Sequence, residues 1–120
     1  MKTTIRWTMA ALFALGLTSG CDRFDGMELE VENSPGVDYT VSRTEVVAPV
    51  GVALLVKVNT RGNDDAGRLR LRSRDEAVMS IEQGPNGRLV FVARGVGEAR
   101  IDVLYKGEVA DRLRAEVVPQ

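Results

Sequence analysis

The chain contains no histidine. That absence removes Ser-His-Asp and Cys-His catalysis, imidazole-ligated zinc or haem, and any imidazole pH switch. It contains a single cysteine, Cys21, so neither an internal disulfide nor a cysteine metal cluster can form. It lacks a basic excess as well. Lys and Arg total 16 against 17 Asp and Glu, and the formal net charge of −1 argues against a nucleic-acid partner. Aromatics are scarce, at 5%. Length sets a further bound, because 120 residues make room for one domain. Together these absences exclude most enzyme chemistry, so no catalytic activity and no cofactor are expected.

Long apolar runs are also missing, with one exception at the start. Lys2 and Arg6 precede the uncharged run Trp7–Leu17, and the small residues Thr18, Ser19 and Gly20 follow it. This is the pattern of a cleaved secretory signal. Trp7 to Gly20 covers 14 residues, short of the roughly 20 that a membrane-spanning helix needs. Residues 1–20 are therefore expected to leave as a signal peptide, cut between Gly20 and Cys21. The loss of Lys2 and Arg6 would move the net charge from −1 to −3.

The stretch Leu17-Thr18-Ser19-Gly20-Cys21 resembles the lipobox of bacterial lipoproteins. The resemblance implies that Cys21 becomes the new N-terminus and carries acyl chains on its sulfur and its amine. The covalent lipid would then join the chain to a membrane, and two or more acyl chains hold a protein to a bilayer stably where one does not. Asp22 resembles the retention signal that enteric lipoproteins use for the inner membrane. That rule differs between bacterial groups, so the choice of inner or outer membrane stays open.

From residue 21 onward the pattern alternates with a period of two. Met27, Leu29 and Val31 interleave with Glu28, Glu30 and Glu32. The same alternation runs through Val37–Val41, Val52–Val58, Leu69–Leu71, Leu89–Ala93, Ala99–Tyr105 and Leu113–Val117. All 17 valines lie in this part, and β-branched side chains favour strands. Turn signals separate the runs, among them Asn33-Ser34-Pro35-Gly36, Gly84-Pro85-Asn86-Gly87, Gly95-Val96-Gly97 and Lys106-Gly107. No stretch sustains a helical period. Seven to nine short strands with one wet face each predict an all-β, antiparallel, immunoglobulin-like sandwich. Its domain is expected over 37–120. Residues 21–36 are read as lipidated terminus, tether and a possible first edge strand, whose acidic side chains would stand the domain off anionic head groups.

From about Thr44 to Val118 the order of features resembles the bacterial immunoglobulin-like domains of the Big family, nearest the group-2 type. Glu45–Pro49, Gly51 and Val52–Thr60 match its opening strand, glycine turn and long apolar strand. Leu71-Arg72-Ser73-Arg74-Asp75 and Val78-Met79-Ser80-Ile81 follow at its turn and Val-x-x-Val step. Gly87–Ala93, Gly95-Val96-Gly97 and Ala99-Arg100-Ile101 match its closing strands. Trp is replaced by Leu71, and the second Ser of the turn by Arg74. The resemblance implies a binding or spacer module of adhesins and envelope proteins, without a catalytic residue.

Four features invite a functional reading. Arg68, Arg70, Arg72 and Arg74 recur at alternate positions, placing them on one face of a strand. Arg68, Arg70 and Arg72 form a possible surface for an anionic ligand such as a polysaccharide; the plainer reading pairs the arginines with Glu98, Asp102 and Glu116 on neighbouring strands. Asn63, Asp64 and Asp65 offer oxygens to calcium, but without the alternating spacing of an EF-hand, so a solvated turn is expected. Asp75 and Glu76 are adjacent and so point to opposite faces of a strand, which argues against joint acid–base work; the Big-family resemblance implies that Asp75 is a turn residue, and Ser73 has no basic partner in sequence reach and no histidine anywhere. Val90, Val92 and Leu104 occupy outward positions and would form a dry partner patch if they met. The chain is thus expected to be a non-catalytic, lipid-anchored envelope protein, periplasmic or surface-facing, with a protein or cell-wall partner. The alternatives are a docking subunit of a secretion or pilus assembly and a polysaccharide- or peptidoglycan-binding lipoprotein.

Overall fold

The seven alternating runs, together with Glu45–Pro49 and Met79–Gln83, become nine strands in a computed structural model that describes residues 24–62 and 65–120. They are β1 (Met27–Val31), β2 (Thr40–Val41), β3 (Glu45–Pro49), β4 (Ala53–Thr60) and β5 (Leu69–Ser73). β6 (Met79–Gln83), β7 (Leu89–Ala93), β8 (Gly97–Tyr105) and β9 (Glu108–Val118) complete the set. Two short 3-10 turns, Ala66–Arg68 and Pro85–Gly87, interrupt them, and no α-helix occurs among the described residues. Residues 1–20, the cleavage position Gly20 and the lipid position Cys21 lie outside the described residues, as do Asn63 and Asp64.

The strands form two sheets, in the orders β1-β4-β7-β6 and β2-β3-β9-β8-β5. The protein is an all-β, immunoglobulin-like sandwich. The first order is that of strands A, B, E and D in this architecture, and β9-β8-β5 is that of G, F and C. All pairings are antiparallel except β3 with β9, which is parallel, with Val46 beside Ala115 and Ala48 beside Val117. The parallel pair arises because the first strand region is split between the sheets. β1 pairs with β4, and the chain then crosses through Pro35 and Gly36 to deliver β2 and β3 to the other sheet. It returns to the first sheet over Val50–Val52, where Gly51 adopts φ +91 and its N–H donates to the Ala93 carbonyl at 2.7 Å. Positive φ at that corner favours glycine.

The core lies between the inward faces. Met27, Leu54, Val56, Met79 and Phe91 come from the first sheet, and Val46, Ile101, Val103, Leu113, Ala115 and Val117 from the second. Phe91 is fully buried. Removing a side chain of that size from water stabilises the fold by about 1.5–3 kcal/mol.

The folded body starts earlier than residue 37. Met27 is 2% exposed. The Arg61 N–H donates to the Gly26 carbonyl at 3.0 Å, and the Phe24 ring stands 5.2 Å from that of Tyr105. Met27–Val31 is the edge strand of the four-stranded sheet, pairing with Val56–Thr60. The acidic stretch is therefore part of the sandwich rather than a standoff tether. Its apolar residues fill an inward face that β4 alone leaves uncovered, and burying them outweighs the freedom of a loose segment. Glu32 is itself engaged, accepting from Arg88 at 2.7 Å.

Candidate functional site: an arginine-rich sheet face

Alternation sends every second residue of the five-stranded sheet outward, and register decides which of them meet. Across β5, β8 and β9 the outward positions fall into rows. One row reads Arg72, Asp102, Arg112. The next places Arg100 opposite Arg114, with Arg74 beside Arg100 through an N–H bond from Arg74 to the Arg100 carbonyl at 2.8 Å. Beyond it, Glu98 lies opposite Glu116.

Asp102 is outward-facing yet fully buried, because three long side chains close over it. Arg72 and Arg74 each donate to Oδ2 at 3.2 Å, and Arg112 Nε donates to Oδ1 at 3.3 Å. Burial pushes the Asp102 carboxyl up, but these donors and the Arg74 charge outweigh it, and the group lies below the ordinary aspartate value. The three arginine side chains remain 56–59% exposed. One carboxylate thus gathers three cations, and each keeps N–H donors to spare.

Arg114 is handled in the opposite way. Glu45 at 3.0 Å, Glu98 at 3.3 Å and Glu116 all accept from it. These contacts, led by the Glu116 hydrogen bond, hold its pKa above the ordinary arginine value. Arg100, directly across from it, makes no side-chain hydrogen bond or ion pair among the described residues.

The arginines expected to share a ligand surface do not all converge. Arg72 joins the Asp102 cluster. Arg70 bends back onto its own strand, donating to the carbonyls of Gly67 at 2.9 Å and Leu69 at 2.8 Å. Arg68 ends the 3-10 turn Ala66–Arg68 instead of lying in β5, so the four-arginine strand face is interrupted at its first member. Glu98 and Glu116, considered as partners for that series, hold Arg114 instead.

The remaining features have local roles. Asp65 Oδ1 accepts from Gly67 N–H at 2.9 Å, and the Asp65 N–H donates to the Tyr105 hydroxyl at 2.9 Å. Among the described residues no group of three acidic or cysteine side chains gathers as a metal site. Ser73 Oγ accepts from Asp75 N–H at 3.2 Å, and Asp75 Oδ1 accepts from Ala77 N–H at 3.1 Å. Both oxygens serve the turn between β5 and β6. Val90 and Val92 share the outer face of the four-stranded sheet, while Leu104 lies on the other sheet opposite Val109, so the three do not form one patch. Neither a protein-family model nor a curated protein sequence matches the chain.

Sequence reading missed Arg112 and Arg100, and the reason is the register of the β8–β9 hairpin. A two-residue turn at Lys106-Gly107 pairs Tyr105 with Glu108. Continued without interruption, that register would set Asp102 against Asp111. A bulge between Val103 and Leu104 shifts it by one, so that Asp102 meets Arg112 and Ile101 meets Leu113. The signal was present in the inward series of β9. Leu113, Ala115 and Val117 can face the same core as Ile101 and Val103 only if one residue is skipped.

Proposed function

We propose that this chain is a non-catalytic, lipid-anchored binding or structural module of a bacterial cell envelope, of the bacterial immunoglobulin-like kind. A signal peptide ending at Gly20 is removed, and Cys21 carries the acyl chains. The observation that carries the reading is where the folded body begins. Phe24 packs on Tyr105. Among the described residues the core begins at Met27, and the sandwich follows the lipid position within three residues. Three residues span at most roughly 10 Å. The end that holds Phe24, Gly26, Arg61 and Tyr105 is thus drawn close to the head groups, and the opposite end, with Gly51, Val96 and Gln120, points away. The non-catalytic reading is supported by Ser73 and Asp75, whose oxygens accept turn N–H groups.

Fractionation of cells expressing the protein and its Cys21→Ser variant tests this. The parent should stay with membranes through a high-salt wash and leave only in detergent, and the variant should not. A parent that washes off in salt, or a Cys21→Ser variant that stays bound as the parent does, contradicts the proposal.

A further inference from the structure

We propose that the cleft between Arg74, Arg100 and Arg112 on the outer face of the five-stranded sheet binds an acidic envelope glycan through its carboxylate or phosphate groups. This deepens the binding role proposed above and rests on it for the setting of the glycan, but the cleft's chemistry is independent of the lipid.

Like charges directly opposite one another on neighbouring strands destabilise a sheet. Arg100 faces Arg114 in that position, and Arg74 flanks Arg100 on the other side. Arg114 is neutralised by its carboxylates, but Arg100 has no acidic partner among the described residues. Arg74 and Arg112 are committed to Asp102 through one nitrogen each. Each guanidinium carries five N–H donors in a planar fork that suits a carboxylate or phosphate.

The shape agrees. Arg74, Asp75, Ala99, Arg100 and Arg112 line an open cleft of about 410 Å³. The buried carboxylate of Asp102 forms a fixed post beneath it, holding Arg74 and Arg112 at a set spacing from beneath. That arrangement lowers the ordering cost an incoming anion would otherwise meet. Asp75 is occupied by the Ala77 N–H at the rim.

Two observations select the ligand class. Apart from Ala99, whose side chain packs against the core, every lining residue is charged, whereas a protein partner needs an apolar centre to its interface. Arg74 and Arg112 are more than half exposed, so a single anion would be held weakly in high dielectric. A polymer with repeating negative groups overcomes that weakness by multivalency.

The test uses the membrane-extracted protein in a neutral detergent, applied to immobilised polyuronate and, separately, to immobilised polyphosphate. Retention on at least one at 50 mM salt, falling steeply by 300 mM, is expected; the polymer that retains more strongly names the anionic group. Arg100→Glu should weaken retention at least tenfold, and it breaks no contact that the fold uses. Lys57→Glu, on the outer face of the other sheet, should bind as the parent does. A parent that binds neither polymer, or an Arg100→Glu variant that binds equally well, overturns the inference. Either result would leave membrane fractionation unchanged, so failure here is separable from failure of the anchor.

Discussion

On the five-stranded sheet, the outward residues of β8 are Glu98, Arg100, Asp102 and Leu104, whereas on the four-stranded sheet β4 and β7 turn out Ala53, Leu55, Val90 and Val92. Both sets obey the same alternation. On the first face a carboxylate is buried completely beneath three arginines, which spend their flexible stems to cover it. On the second face Leu55, Val90 and Val92 stay half-exposed and Ala53 is exposed. Ion pairs frame them, Arg94 with Glu82 at 2.7 Å and Arg88 with Glu32 at 2.7 Å. The Arg88 hydrogen bond, ahead of any cost of burial, holds Glu32 below the ordinary glutamate value. The contrast teaches that "outward" describes a direction, not an environment. What a position becomes depends on the length and charge of its cross-strand neighbours.

Both faces rest on one core, so the largest effect should come from Phe91→Ala, with a loss of about 3–5 kcal/mol in denaturant unfolding. An unfolding curve shifted by less than ~1 kcal/mol would mean that the two sheets do not share that core.

The next substitution separates the faces. Asp102→Asn removes the negative centre of the arginine cluster, and the melting temperature should fall at pH 7. Because the Asp102 pKa is depressed in the folded protein, its contribution is complete above the unfolded value near ~3.9 and is lost as pH falls through the lower folded value. The gap between parent and variant should therefore close in acid. A gap that is constant from pH 7 down to pH 2 would show that charge is not what Asp102 supplies.

On the four-stranded side, Asn33 imitates a strand residue. Its Nδ2 donates to the Ala53 carbonyl at 2.9 Å, and its Oδ1 accepts from the Leu55 N–H at 2.9 Å. Asn33→Ala should cost about 1 kcal/mol, independent of salt, since no formal charge is involved. Smallest of all, Val92→Thr on the half-exposed strip should change stability by less than ~1 kcal/mol. A larger loss would mean that the strip is packed against something in solution, and sedimentation would then reveal a self-associated form.

Strand existence was legible because Val31, Val56, Phe91 and Val117 all fall on period-two series that need an apolar side. The sandwich followed from those series and the glycine turns between them. The parallel β3–β9 pair was not legible, since nothing in Glu45–Pro49 distinguishes it from a strand that stays with β4. Nor was the place of Met27–Glu32, whose glutamates suit both a tether and a guarded edge. Of the candidate site, Arg72 was legible from its spacing in β5. Arg112 was hidden by the bulge, and the isolation of Arg100 emerges only once the carboxylates are seen to cluster on Arg114.

Intact mass spectrometry of the membrane-extracted protein addresses the anchor, on which the proposed cellular role depends. The extracted chain should begin at Cys21, with added mass equal to a diacylglyceryl thioether, with or without an amide-linked acyl chain. A chain that retains residues 1–20, or one that begins at residue 21 with an unmodified thiol, would contradict the lipid anchor.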